Sequence, residues 1–378
     1  MGNDILSKLL TIDPEILIKV VRQDQRNPTF EITRWTVQRL SDKGIRNPDG
    51  LWLYSGEGND GSQARPWSVV LKIIERTEEE VPVSDFWYWK RELLWVQSGL
   101  MERMPGPVKG PRFYGAEETS DGAWLWQEHI IQQRPDPWSL EDYAFAARQI
   151  GLWNGAYACG TPLPDEPWFT RRHYRSWYTQ TNPEKDFKFP LNQKYITGNI
   201  RSRYDRLWTE RELFYQVLET LPQMFSHFDS QRRNLFIRKG TDDQDELILV
   251  DWALCGLGPL GAEMTLLIGM SAALLDWPSS EVGQLDRVAF ENYLKGLAEA
   301  GWSGDVDIVR LAYTAWLTIW FGVVFPNITA LWCTPDFRPY SLQQFGFAEE
   351  DLCQKWLPVF HYALDCADEA RSLMNKTG

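Results

Sequence analysis

Hydrophobic and polar positions change their period along the chain. Residues 13–23, DPEILIKVVRQ, carry apolar side chains at helical spacing and predict a short amphipathic helix with Thr11 or Asp13 as N-cap. Three strand-like runs follow at 32–40, 50–56 and 67–75; the last, WSVVLKIIE, is apolar and β-branched. The turn-rich stretches SDKGIRNPDG and EGNDGSQARP separate them. Helical spacing returns over 84–100, with Ser84 or Asp85 placed to cap it, and MPGPVKGP breaks it. PRFYGAEE and GAWLWQEHI read as two more strands, joined by a turn at Ser120-Asp121-Gly122. The chain to residue 127 is therefore expected to form a five-stranded antiparallel sheet with one major helix.

Beyond Ile130 the period is mostly helical. Residues 139–158 predict a helix with Ser139 as cap, although a capping box wants Glu or Gln where Asp142 stands. Residues 166–220 read as polar, aromatic and largely helical. LFIR and ELILV predict a hairpin around GTDD, and further helices are expected near 261–276, 281–299, 305–323 and 349–375, with no later strand. Phe325 to Tyr340, rich in Pro and aromatics, suits a flap. This is an α+β pattern with domains at 1–127 and 128–378.

Composition narrows the classes. A formal net charge of −13 in 378 residues disfavours nucleic acid, which needs a basic face. Five scattered cysteines without a C-x-x-C, and only four histidines, argue against a disulfide framework or a zinc centre. No stretch of about 18 residues is apolar and uncharged, and the start lacks a secretory pattern, so a cytoplasmic protein is expected. The 20 tryptophans exceed ordinary usage; most are expected in the core, and some suit an aromatic or cationic ligand.

The chemistry concentrates in SHFDSQRRNLFIRKGTDDQDELILVDW, residues 226–252. Asp229 and Asn234 stand at the two ends of one tight loop. Asp229 is placed to orient a substrate hydroxyl and accept its proton, and Asn234 to offer an oxygen to Mg²⁺. Asp251 ends the returning strand, where a carboxylate can hold Mg²⁺ against nucleotide phosphates. His227 is placed to orient the loop through hydrogen bonds. Upstream, Lys72 lies in an apolar strand and needs an anion partner, which Glu92 in the following helix can supply.

These residues resemble the aminoglycoside phosphotransferase and choline kinase superfamily, in the order His227, Asp229, Asn234 and Asp251-Trp252. The resemblance implies a bilobal protein-kinase-like fold with a mainly helical C-terminal lobe. It implies Asp229 and His227 as catalytic, Asn234 and Asp251 as metal ligands, and Lys72 and Glu92 as the nucleotide-holding pair. Gln127 and Glu128 fall at the hinge for the base, and Gly44 in the phosphate-covering loop placed at Ser41 to Gly50. Gly56 to Gly61 match G-x-G-x-x-G, but no helix follows, so they read as the next turn. The cofactors implied are Mg²⁺ and ATP or GTP, and the acceptor is a small-molecule hydroxyl. Tryptophans at 277, 302, 316, 320 and 332, with Asp276, Glu281, Asp286 and Glu291, suit a cationic or aromatic-stacking acceptor such as an amino sugar or antibiotic. A metabolite kinase acting on a choline-, sugar- or homoserine-like alcohol, or a silent pseudokinase, are the alternatives. Phe228 stands where the family usually has Gly, Arg232 and Arg233 precede Asn234, and Glu263 stands where an Asp usually opens the next helix.

Overall fold

Alternation along the strand that carries Lys72 sorts its side chains onto two faces of a sheet. In the computed structural model, which describes residues 12–40, 50–78, 80–176 and 180–377, five strands pair antiparallel in the order β1-β2-β3-β5-β4. They are β1 (Glu31–Arg39), β2 (Leu51–Asn59), β3 (Ala64–Glu75), β4 (Phe113–Thr119) and β5 (Gly122–Glu128). Trp67, Val69 and Leu71 meet Leu17, Val20 and Val21 of helix α1 (Pro14–Asp24) on one face. Burial of each such aliphatic side chain contributes about 1.5–3 kcal/mol. Asp13 caps α1 by accepting from the Glu15 amide at 3.0 Å. On the other face, helix α2 (Arg91–Ser98) packs Leu93 against Ala123 and Leu125.

The β2–β3 turn is at Asp60 to Gln63, where the Asp60 carboxylate accepts from the amides of Ser62 and Gln63 at 2.9 and 3.0 Å. Of Gly56 to Gly61, expected as a turn, the first four continue strand β2 to Asn59 and only Asp60 and Gly61 lie in the turn. The β1–β2 connection, with Gly44 and the expected phosphate-covering loop, lies outside the described residues. The helix expected over 84–100 is regular only from Arg91 to Ser98. Phe86 packs its ring 4.9 Å from that of His173, and the chain around it stays in turns. Tertiary packing of an aromatic residue overrides the local helical period here.

The chain divides into two compact units. One comprises the residues up to 82 with 87–103 and 110–131; the other comprises 83–86, 104–109 and 132 onward. The principal helices of the second are α3 (Leu140–Ala158), α4 (Gly198–Thr220), α5 (Val282–Glu299), α6 (Val306–Leu317), α7 (Phe325–Trp332) and α8 (Glu349–Thr377). The α3 capping box closes despite the shorter acid: the Ser139 hydroxyl accepts from the Asp142 amide at 3.2 Å, and Asp142 accepts from the Ser139 amide at 3.0 Å. Helices α3 and α5 approach so closely that a Cβ on Gly151 would lie 2.2 Å from the Tyr293 carbonyl oxygen. Tyr204, Leu207, Trp316 and Phe360 join α4, α6 and α8 in one core. The stretch Val306–Val323 is long and apolar enough to cross a membrane by length and composition, and 67% of it is buried inside the fold. The expected flap at 325–340 is largely helical, and Trp332 packs against Tyr340, Phe345 and Trp356.

Three short strands escaped the sequence pattern. β6 (Thr170–Arg171), β7 (Gln223–Ser226) and β10 (Gly256–Pro259) form a sheet in the order β6-β10-β7. GLGP has no strand alternation. Its pairing depends on close approach, since a Cβ on Gly256 would meet the Thr170 carbonyl oxygen at 2.0 Å. The expected hairpin forms as β8 (Leu235–Lys239) with β9 (Asp245–Leu249).

Candidate functional site

Strand β7 delivers the chain into the loop that carries Asp229. His227 is fully buried, and its ring bonds fix its tautomer. Nδ1 accepts from the Asp229 amide at 3.1 Å, so the proton sits on Nε2, which donates to the Val250 carbonyl at 3.1 Å. One imidazole therefore ties the loop before Asp229 to the segment before Asp251. Asn234 closes the loop from its far end. Its Nδ2 donates to the Asp229 carbonyl at 2.9 Å and to Asp229 Oδ2 at 2.7 Å. Both partners can only accept, so the amide orientation is determined, and its oxygen is turned away from Asp229. The Val250 amide donates to the Asn234 carbonyl at 3.0 Å. Asp251 follows with φ of +66°, and Trp252 is buried with its indole N–H on the Leu249 carbonyl at 2.9 Å. Asp229 and Asn234 thus belong to one hydrogen-bonded unit, and His227 and Asn234 tie to it Val250, the residue before Asp251; Asp229 and Asp251 are half-buried.

A carboxylate braces this unit from behind. Glu263, 1% exposed, accepts from the amides of His227 at 2.6 Å and Phe228 at 3.3 Å, and from the Ser230 hydroxyl. Burial pushes its carboxyl up from the usual range, against the lowering effect of Ser230 and the two amides. In the sequence Glu263 showed only as an acid opening a helix; its signal is a lone carboxylate in the apolar run GPLGAEMTLLIGM.

Arg232 and Arg233 are held inside the fold. The Arg232 guanidinium lies 4.2 Å from the Trp138 ring and donates to Asp136 at 3.1 Å. Arg233 donates to both oxygens of Asp276 at 3.1 and 3.0 Å and to the Leu274 carbonyl at 3.0 Å. Burial pushes the Asp276 carboxyl up, and Arg233 opposes that. Other residues offered to a cationic acceptor are committed elsewhere. Asp286 takes a two-pronged grip from Arg310 at 2.7 and 2.8 Å, Glu291 pairs with Lys295 at 2.9 Å, and Trp316 is core.

The first unit holds the remaining candidates. Lys72 Nζ lies 2.5 Å from Glu92 Oε2; the lysine side chain is 15% exposed and the glutamate 1%. Register places Lys72 opposite Leu51 of β2 and Leu125 of β5, on the face that α2 covers. Gln127 pairs with Val70 in the same sheet and is buried. Glu128 binds Arg112 through its carboxylate at 3.2 Å, so its side chain is already engaged. His129 Nδ1 is 3.0 Å from the Ser68 hydroxyl, and burial lowers its pKa. Trp35, Trp67, Ser68, Arg112, Glu128 and His129 help line a cavity of about 790 Å³ in this unit.

No protein-family model matches the chain, and no curated protein matches it. Solved structures do. The microcompartment-associated aminopropanol kinase superposes with a TM-score of 0.51 at 11% identity, covering 95% of this chain and 98% of that one. An aminoglycoside phosphotransferase from Alicyclobacillus acidocaldarius gives 0.49 at 13% identity, over 91% and 92% of the two chains. A choline kinase from Cryptosporidium parvum gives 0.48 at 12% identity, over 97% of each. The first likeness shows a shared fold, and the two weaker ones add nothing to it. The chain has the α+β architecture of that kinase over nearly its whole length, as the segment 227–252 led one to expect.

Proposed function

We propose that the protein is a small-molecule O-phosphotransferase that moves the γ-phosphate of ATP or GTP to an alcohol. In the step, the acceptor oxygen bonds to the γ-phosphorus while the bond from that phosphorus to the bridging oxygen breaks. The hydroxyl proton passes to Asp229, and the nucleoside diphosphate leaves with the bridging oxygen. The observation that carries this assignment is the Asp229–Asn234 unit, with Asn234 Nδ2 at 2.7 Å from Asp229 Oδ2 and His227 tying it to the residue before Asp251.

A magnesium ion fits the donors. The Asn234 oxygen and the Asp251 carboxylate are hard oxygen ligands, few enough to leave room for water and phosphate oxygens. Among the described residues, no three His, Cys, Asp or Glu gather as a metal cluster, so a tighter all-protein cage has no support. When bound, the ion neutralises charge on the phosphates. Lys72, held by Glu92, supplies the cation for the nucleotide phosphates, and Asp229 sets the direction of the acceptor hydroxyl.

The acceptor is better matched by a metabolite alcohol of low charge than by a polycationic antibiotic. Asp276 and Asp286, which could have met such a cation, carry arginine partners within the fold. The test is nucleotide consumption with Mg-ATP or Mg-GTP across choline, homoserine, amino sugars, aminoglycosides and macrolides. Turnover with an alcohol of low charge, abolished in Asp229→Ala, is the expected result. Turnover that survives Asp229→Ala sinks the mechanism, and absence of nucleotide binding favours a silent scaffold.

A further inference from the structure

Phe228 stands immediately before Asp229 with φ of +61°. That backbone region crowds the Cβ of any ordinary L residue against a carbonyl oxygen, and glycine is its natural occupant. A bulky residue persists there only where its surroundings over-determine it. The surroundings here are aromatic. The Phe228 ring is 1% exposed and stacks on the His173 ring at 4.9 Å with 8° between planes. The Trp316 ring lies 5.3 Å from it. Gly258 leaves room for it, since a Cβ at that position would approach the ring to 2.6 Å. His173 is itself packed against Phe86 at 4.9 Å and Trp320 at 5.2 Å, so the slot has rigid walls. The backbone is pinned on both sides of the strained bond: the Phe228 amide on Glu263 at 3.3 Å and the Asp229 amide on His227 Nδ1 at 3.1 Å.

We propose that Phe228 is a positioning residue. Its ring, seated between His173, Trp316 and Gly258, holds the left-handed turn that aims Asp229. The consequence for catalysis rests on Asp229 serving as the base; the effect on the turn does not. Three separate stretches of chain build the slot: the 3-10 turn His173–Arg175, strand β10 and helix α6. The direction of Asp229 is thereby set by how these stretches pack, in addition to the loop's own hydrogen bonds.

The test uses the full chain in three variants. Phe228→Gly accepts the positive φ but brings no ring, and Phe228→Ala offers neither. Phe228→Leu keeps apolar bulk without the stack and covers the case in which alanine does not fold. Histidine-selective ¹⁵N spectra report the His227 tautomer, with only four histidines to resolve. Mg-ATP consumption, with water or an alcohol as acceptor, reports turnover. We expect Phe228→Ala to move the His227 signals and to lower kcat by about a hundredfold at unchanged nucleotide KM. Phe228→Leu and Phe228→Gly should fall between alanine and wild type. Unmoved His227 signals in all three variants, whether melting temperature or turnover falls or not, would overturn the proposal. If the signals move while Asp229→Ala leaves turnover intact, the phosphotransferase assignment fails and the role of Phe228 in the turn stands.

Discussion

Two buried glutamates, one in each compact unit, solve the same problem differently. Glu92 and Glu263 are each 1% exposed. Glu92 meets an ammonium group, Lys72 Nζ, at 2.5 Å. Among the described residues Glu263 meets no cation; it collects two backbone amides and the Ser230 hydroxyl. A carboxylate paired with a cation keeps its charge, and holds the cation in place in return. A carboxyl surrounded by neutral donors is disfavoured as an anion, and its pKa rises. The first arrangement holds a cation in place; the second shapes a loop. Burial of an acid therefore does not reveal its task, but the chemistry of its partners does.

Breaking the pair should cost the fold heavily. Glu92→Ala leaves the largely buried Lys72 ammonium without its anion and should cost about 3–5 kcal/mol, read by chemical denaturation. Replacing both partners with apolar residues should recover much of that. If Glu92→Ala alone costs under about 1 kcal/mol, the pair is solvent-screened and the contrast collapses. At Glu263 the side-chain chemistry should matter more than the charge. Glu263→Ala strands buried donors at about 1–3 kcal/mol each. Glu263→Gln keeps an acceptor for the amides and can donate to Ser230, and should be much milder. A glutamine variant as damaged as alanine would mean that the anion itself is needed.

The pH dependence separates the two further. The folded-state pKa of Glu263 lies above its unfolded value, so its contribution is full below the ordinary carboxyl range and fades as pH rises through the raised value. Wild type should therefore lose stability relative to Glu263→Gln as pH increases, seen as diverging urea midpoints. A constant difference across pH would place Glu263 among unperturbed acids. The smallest effect is expected at Ser230→Ala, which removes one neutral partner and should cost about 1 kcal/mol.

Much of this architecture was legible in the chain because it is written in local period. WSVVLKIIE is apolar and β-branched, and that composition alone marked the strand that carries Lys72. The spacing from His227 to Asp251 was legible because one loop and one hairpin carry it. Gly256–Pro259 was not, because its pairing arises from backbone approach to Thr170 and leaves no mark in side-chain pattern. The helix start at Arg91 was hidden for a related reason: Phe86 answers to His173, 87 residues away, and not to its neighbours. The partners of Asp276 and Asp286 were equally invisible, since Arg233 and Arg310 reach them through tertiary packing.

In the proposed function, Lys72 and the Asp229 loop serve one phosphoryl transfer. This is tested most directly by comparing Mg-ATP consumption, with the best alcohol found, in wild type, Lys72→Met, Asp229→Asn and the double variant. Groups acting in one step are non-additive, so each single variant should lose at least about a hundredfold, and the double should be no slower than the worse of the two. Losses that multiply in the double variant, or an Asp229→Asn protein that turns over at the wild-type rate, would contradict the account.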